Sequence, residues 1–185
     1  LPFHDSISVC TAPLTTRTTL EFGDFPRDSA TIDSRAISGH EMDRVLAVVD
    51  AVRGRADLDR RFRMVSINDF PSNVGLGASA SGFAALALAA TQAAELSVNL
   101  EEVSRFARRG AGSASRSVTG AFSKWKMGVA DEDSYAVQLA GDDLQMDMIV
   151  ALIPAFKQTE DAHREALTSP FFHARLAEMP RLLAE

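Results

Sequence analysis

The chain reads as an α+β domain. Three observations predict it. Short strands rich in Ser and Thr open the sequence, a long Ala-rich helix occupies its middle, and strands and helices mix without the strict alternation of a doubly wound sheet. A length of 185 residues is that of one domain, or of one domain with part of another. Hydrophobic residues make up 46% and charged residues 24%, which excludes general disorder. The formal net charge of -6 argues against a nucleic-acid binder, which needs a basic face. The single cysteine, Cys10, excludes an internal disulfide and a Cys-based zinc cluster. The four histidines are scattered without metal-ligand spacing. No apolar run has the length of a membrane span, and Leu1-Pro2-Phe3-His4 carries no signal-peptide pattern.

Taken in order, Ser6-Ile7-Ser8-Val9 alternates polar and apolar side chains, and Thr15 to Phe22 is Thr-rich; both predict strands. Gly23 to Ser38 mixes Asp, Pro and Ser and predicts a turn or a short hairpin. Over Glu41 to Arg53, the residues Met42, Val45, Leu46, Val49 and Val52 share one stripe at helical spacing. Phe62 to Ile67 predicts a strand and Asn68 to Asn73 a loop. Ser79 to Leu96 is apolar almost all round, which predicts a buried helix. Asn99 is placed to cap the next helix, with Glu101 and Glu102 where the helix dipole favours acids. That helix runs to about Arg109, where Gly110-Ala111-Gly112-Ser113 breaks it. Phe122 to Lys126, Ser134 to Leu139 and Met146 to Ile153 predict strands; Thr159 to Ala166 and Ser169 to Glu185 predict helices. The last pattern stops without a stop signal and no initiator Met opens the chain, as expected of a piece of a longer protein. Residues 1–150 are expected to form one domain and residues 151–185 the start of another.

Two small-residue loops carry the chemistry. The first, Pro71 to Gly82, follows a strand and opens the buried helix. Glycines let backbone N–H groups close on an anion, and a helix N-terminus adds positive potential. It lacks the Lys of a Walker A loop, and Ala80 stands where a dinucleotide fingerprint has its third Gly. The competing reading is that its small residues only allow tight helix packing. The second loop, Arg108 to Ser117, offers another turn of backbone donors, three hydroxyls and guanidinium groups suited to a carboxylate or phosphate. Arg108 and Arg109 also suit a solvated helix C-terminus. Arg116 does not, because it lies beyond the break.

Together these segments resemble the mevalonate diphosphate decarboxylase family of the GHMP kinase superfamily. Ser66-Ile67-Asn68-Asp69-Phe70-Pro71 and Gly75-Leu76-Gly77-Ala78-Ser79-Ala80-Ser81-Gly82 resemble its nucleotide loop. Arg105 to Arg116, with Ser117 and Trp125, resembles the signature that separates these decarboxylases from the kinases. Leu1-Pro2 with Asp5 to Val9 resembles the early substrate-side strand, and Thr159-Glu160 with Thr168 to Phe172 a segment near the substrate's phosphate end. The resemblance implies a ribosomal protein S5 domain 2-like, GHMP kinase N-terminal fold, followed by a second α/β domain. It implies ATP and Mg²⁺ as cofactors, and a phosphorylated mevalonate as the small-molecule partner. The 3-hydroxyl is phosphorylated, and phosphate and carbon dioxide then leave. A cytoplasmic homodimer, with no nucleic-acid or membrane partner, is expected.

Residue by residue, the resemblance assigns ATP binding to Ser66, Asn68, Gly75, Gly77, Ala78, Ser79 and Ser81, with Ser79 also near a phosphate-bound Mg²⁺. It assigns the substrate to Ala111, Gly112, Ser113, Arg116, His163 and Arg164. Arg116 and Ser113 are the catalytic candidates: Arg116 holds the C1 carboxylate and Ser113 hydrogen-bonds the substrate. The family's catalytic aspartate would lie beyond Glu185. Ala111 stands where many diphosphate-using members have a hydroxyl, and His163 where they have an arginine, with Arg164 adjacent. A diphosphate favours bidentate Arg contacts, so the pair points to the 5-monophosphate branch. A mevalonate 3-kinase without decarboxylation, or a non-catalytic nucleotide-binding module, are the alternatives.

Overall fold

The computed structural model describes residues 1–72, 75–140, 146–150 and 159–184, with side chains at 140, 159, 160, 162, 163 and 182–184 outside the description. The strands β1 (Ser6–Val9), β2 (Thr16–Gly23), β3 (Ser29–Ile32) and β4 (Arg35–Ala36) come first, followed by the helix α1 (His40–Ala56) and the strand β5 (Arg61–Asn68). The helices α2 (Ala78–Ala93), α3 (Leu100–Gly110) and the short α4 (Ala114–Ser117) follow, then the strands β6 (Phe122–Trp125) and β7 (Ala136–Ala140). Two sheets result. One has the order β2-β5-β3-β4, with β5 antiparallel to β2 and parallel to β3; the other is antiparallel, in the order β1-β6-β7.

The period of two in β5 decides which face meets the helices. Phe62, Met64 and Ser66 are buried, while Arg61, Arg63, Val65 and Ile67 face solvent. Ser66 therefore belongs to the inner face, where its hydroxyl lies 2.9 Å from that of Thr18 on β2. The basic residues Arg61 and Arg63 sit on the outer face of an interior strand, not on a sheet edge. Val45, Val48, Val49 and Val52 of α1 supply the facing stripe and join Leu86, Ala87 and Ala90 of α2 in one core. Each fully buried valine contributes roughly 1.5–3 kcal/mol relative to an exposed one.

An ion pair fastens this layer. Asp28, just before β3, accepts from Arg53 Nη2 of α1 at 2.6 Å and from the Phe62 backbone N–H at 2.9 Å, with both side chains largely buried. Burial pushes the Asp28 carboxyl upward. The hydrogen bonds from Arg53 and Phe62, and the charges of Arg53 and Arg61, outweigh it and hold the group below the ordinary carboxylate range.

Asn99 caps α3 as its position predicts: its side-chain oxygen accepts from the Glu102 N–H at 2.9 Å. Helix α3 continues through Gly110 and ends at Ala111, which is extended. The strand predicted over Met146 to Ile153 is corrected: residues 146–150 form no strand, and 151–153 lie outside the described residues. Ile149 is 95% exposed, and no strand among the described residues pairs with this run, so its apolar pattern has no sheet to enter.

Residues Ile149–Glu185 form a unit separate from Leu1–Met148. It carries the helices α5 (Thr159–Thr168) and α6 (Pro170–Ala184). Among the described residues no helix is long and apolar enough to cross a membrane.

Candidate functional site

The first loop enters α2 through two glycines in the left-handed region, Gly75 at φ 81° and Gly77 at φ 77°. Side chains rarely adopt this conformation, so glycine is required where the chain turns into the helix. Gly77 is the N-cap, and no side chain caps the helix. No acidic residue stands in the first turn, and Ala78, Ser79, Ala80 and Ser81 keep it free of bulk. The donors and partial positive charge of this helix start are thus left for an anion, and the residues fit the phosphates of a nucleotide. No group of three or more His, Cys, Asp or Glu residues that could hold a metal occurs among the described residues. Mg²⁺ here would be held through phosphate oxygens, with the exposed Ser79 hydroxyl beside them.

Beside this helix start lies a cleft of about 360 Å³, lined by Ser66 and Asn68 of β5, Ala78, Ser79 and Phe83 of α2, and Arg44 of α1, among others. Asn68 is fixed on three sides. Its Oδ1 accepts from Thr16 Oγ1 at 2.7 Å, its N–H donates to Asp33 Oδ1 at 2.9 Å, and its Nδ2 donates to Asp33 Oδ2 at 3.0 Å. Those bonds from Asn68, and one from Ser72, hold the Asp33 carboxyl below its ordinary range. Asp33 and Ser34 make the turn between β3 and β4 with positive φ, at 48° and 66°.

The second loop is built differently from its sequence expectation. Its glycines serve close approach. A Cβ at Gly110 would stand 2.1 Å from Phe83 Cδ1, and one at Gly112 would stand 3.0 Å from Trp125 Cη2. Most of its backbone donors are already used: Ala111 N–H donates to Ala107, Ala114 to Ala111, Ser115 to Gly112 and Arg116 to Ser113. Ser115 is buried, and its hydroxyl donates to the Gly112 carbonyl at 2.6 Å. The loop is therefore a packed corner, not a second cradle of N–H groups, because α4 begins at once and its turn consumes the donors.

The corner presents Arg116. Its Nη1 donates to Ser6 Oγ of β1 at 2.6 Å, and its guanidinium carbon lies 5.4 Å from the centroid of the Trp125 ring. Both partners are neutral. No carboxylate among the described residues pairs with this half-buried guanidinium, and burial alone pulls its pKa down. Arg105, Arg108 and Arg109 behave otherwise: all three converge on Asp131, at 2.8, 2.5 and 3.4 Å. A half-buried cation held only by a hydroxyl and a ring is poised for an incoming anion.

Of the predicted site residues, Ser66, Asn68, Ala78 and Ser79 come together along the cleft, while Gly75, Gly77 and Ser81 build the helix start beside it. Ala111, Gly112, Ser113 and Arg116 do not line that cleft; they form the corner packed on Trp125 and Phe83. Ser113 is exposed. His163 and Arg164 belong to the other unit, on α5; the His163 side chain lies outside the described residues, and the exposed Arg164 donates to Asp161 Oδ1 at 3.3 Å. Sequence reasoning missed Arg44, Phe83 and Asp33.

An open helix start, a cleft beside it and an arginine with no carboxylate partner among the described residues mark a domain suited to anionic ligands. Residues 1–136 match the model of the Diphosphomevalonate decarboxylase-like N-terminal domain. The chain is 48% identical over 182 residues to the phosphomevalonate decarboxylase of Haloferax volcanii, covering 97% of this chain and 56% of that protein. It is 39% identical over 124 residues to the diphosphomevalonate decarboxylase of Saccharomyces cerevisiae, covering 63% of this chain and 31% of that protein. The crystal structure of the mevalonate diphosphate decarboxylase from Staphylococcus aureus superposes with a TM-score of 0.81 at 33% identity, over 100% of this chain and 58% of that one. The Enterococcus faecalis enzyme, described with a mevalonate diphosphate-mediated ATP binding mechanism, gives 0.83 at 29% identity, over the same shares. The chain belongs to the diphosphomevalonate decarboxylase-like family and carries its N-terminal domain. Its fold is the GHMP-type α+β fold of these enzymes. It spans about half the length of the relative from Haloferax volcanii and less of the yeast one.

Proposed function

We propose that the full-length protein is an ATP-dependent decarboxylase of phosphorylated mevalonate, preferring the 5-phosphate to the 5-diphosphate. The observation that carries this reading is Arg116, a half-buried guanidinium whose partners, Ser6 and Trp125, are neutral. It suits the C1 carboxylate, which must lie in a fixed place as the C3 phosphate departs. The uncapped start of α2, with Ser79, binds the phosphates, while Ser66 and Asn68 line the cleft and Gly75, Gly77, Ala78 and Ser81 keep room for the ligand. ATP with Mg²⁺ supplies the phosphoryl group to the 3-hydroxyl. Ser113 hydrogen-bonds the substrate, Ala111 and Gly112 shape the corner that presents it, and His163 and Arg164 serve its phosphate end. The base that takes the hydroxyl proton is the aspartate that the resemblance puts beyond Glu185.

The apolar Ala111, and the 48% identity to a protein named phosphomevalonate decarboxylase, support the monophosphate. The protein is proposed to act in the cytoplasm as a homodimer. The test is to incubate the full-length protein with ATP, Mg²⁺ and each of mevalonate, its 5-phosphate and its 5-diphosphate, each labelled at C1, and to trap carbon dioxide. Release is expected to be fastest from the 5-phosphate. A 3-phosphorylated product without carbon dioxide would identify a 3-kinase, and no turnover of any of the three would refute the enzyme reading.

A further inference from the structure

Arg44 lies at the junction of the two loops. It is on α1, lines the cleft beside the start of α2, and was assigned no role by the sequence. Its Nε donates to the carbonyl of Gly110 at 2.8 Å, and its guanidinium carbon sits 4.7 Å from the centroid of the Phe83 ring. Gly110 is the last residue of α3, two positions before Gly112 and six before Arg116. Phe83 also lines the cleft, and its ring fills the space where a Cβ of Gly110 would stand. One cation thus grips the helix end from which the second loop hangs, and stacks on the ring that supports that end from below. Its two terminal nitrogens make no hydrogen bond among the described residues. The nearby Glu41 is hydrogen-bonded to Arg35, at 2.8 Å to each carboxylate oxygen, and it also feels the charge of Arg44 without a hydrogen bond to it.

A plain tertiary cap would explain the bond to Gly110 alone, since cations suit helix C-termini. It does not explain why the same side chain, with two donors left over, stands in the cleft wall. A ligand that enters the cleft meets Arg44 and Phe83, the two groups that set the position of Gly110. Coupling between the two ligands is already described for the Enterococcus faecalis relative; we propose that in this chain Arg44 is the positioning residue that carries it, linking occupancy of the first-loop cleft to the placement of the second loop. This rests on the proposed function above and names how its two half-sites communicate. Such coupling is reciprocal by thermodynamic necessity: each ligand changes the other's affinity by the same factor.

The experiment uses full-length protein with Mg²⁺, a non-hydrolysable ATP analogue and mevalonate 5-phosphate. Each affinity is measured by calorimetry without and with a saturating level of the other ligand. The wild type is expected to show mutual tightening of about fivefold or more. Arg44→Ala is expected to bring that factor to about one, and Arg44→Lys, which keeps the charge but not the Nε bond, to do nearly the same. Phe83→Leu, which keeps the bond to Gly110 but loses the stack, is expected to fall between. A purely structural role would lower both affinities and the melting temperature while leaving the factor intact. An unchanged factor in folded Arg44→Ala or Arg44→Lys, or no mutual tightening in the wild type, would overturn the proposal. A wild type that binds no nucleotide at all would be a different failure, since it removes the nucleotide reading and this inference with it.

Discussion

Gly110→Ala tests the packing that joins the two loops. The new methyl would stand 2.1, 2.5 and 2.6 Å from Cδ1, Cγ and Cε1 of Phe83, all far inside van der Waals contact. The ring has little freedom to retreat, because Arg44 lies over it at 4.7 Å and is itself bonded to Gly110. Overpacking of this kind costs about 1–3 kcal/mol. Ala is favoured over Gly inside a helix by about 0.8–1 kcal/mol, but at the last helical position only part of that gain applies. The expected net loss is about 1–2 kcal/mol, a fall in melting temperature of roughly 2–8 °C for a domain of this size. Gly54→Ala is the internal control. Gly54 lies inside α1, and a Cβ there would meet nothing within 4 Å, so the same substitution is expected to be neutral or stabilising. Thermal unfolding followed by circular dichroism compares the two directly. If Gly110→Ala raises the melting temperature as Gly54→Ala does, Phe83 does not support the second loop.

Three further outcomes are expected. Asp28→Asn removes the carboxylate that Arg53 and the Phe62 N–H share, and breaking so buried a pair costs about 3–5 kcal/mol, measurable by urea denaturation near pH 7. Because the folded Asp28 pKa is lowered, its contribution is present above the unfolded carboxylate range and is lost as pH falls through the folded value. Stability of the wild type should therefore drop more steeply on acidification than that of Asp28→Asn, and parallel curves would contradict this. His163→Arg adds a bidentate donor and should raise turnover of the 5-diphosphate relative to the 5-phosphate; an unchanged ratio would remove the argument about substrate length.

Much of the fold was legible because period and punctuation are local. The alternation in Phe62 to Ile67, the stripe of α1 and the Asn99 cap each need only a few neighbouring residues, and each stands where the residues put it. The failed strand over Met146 to Ile153 shows the limit: an apolar run becomes a strand only when a partner edge exists, and that is a property of the whole fold. The first loop was readable because left-handed glycines at a helix start have one conformational meaning. The glycines of the second loop have another. They make room for Phe83 and Trp125, which lie far away in sequence or beyond the loop, and no spacing rule reports such a contact. Arg44 stayed hidden for the same reason. On α1 it looks like any solvated helix residue, and only the folded chain brings it to Gly110 and Phe83.

The central claim is that Arg116, paired among the described residues with Ser6 and Trp125 alone, is completed by the carboxylate of the substrate. The direct measurement is the affinity of the full-length protein for mevalonate 5-phosphate and for the same compound with an alcohol at C1, each in the wild type and in Arg116→Gln. Hydrogen bonds between charged groups contribute about 1.5–3 kcal/mol, so the wild type should favour the carboxylate by about 10- to 150-fold. Arg116→Gln should lose that preference while its nucleotide affinity stays nearly unchanged. Equal affinities in the wild type, or a preference that survives in Arg116→Gln, would show that the anion this arginine awaits is not the carboxylate.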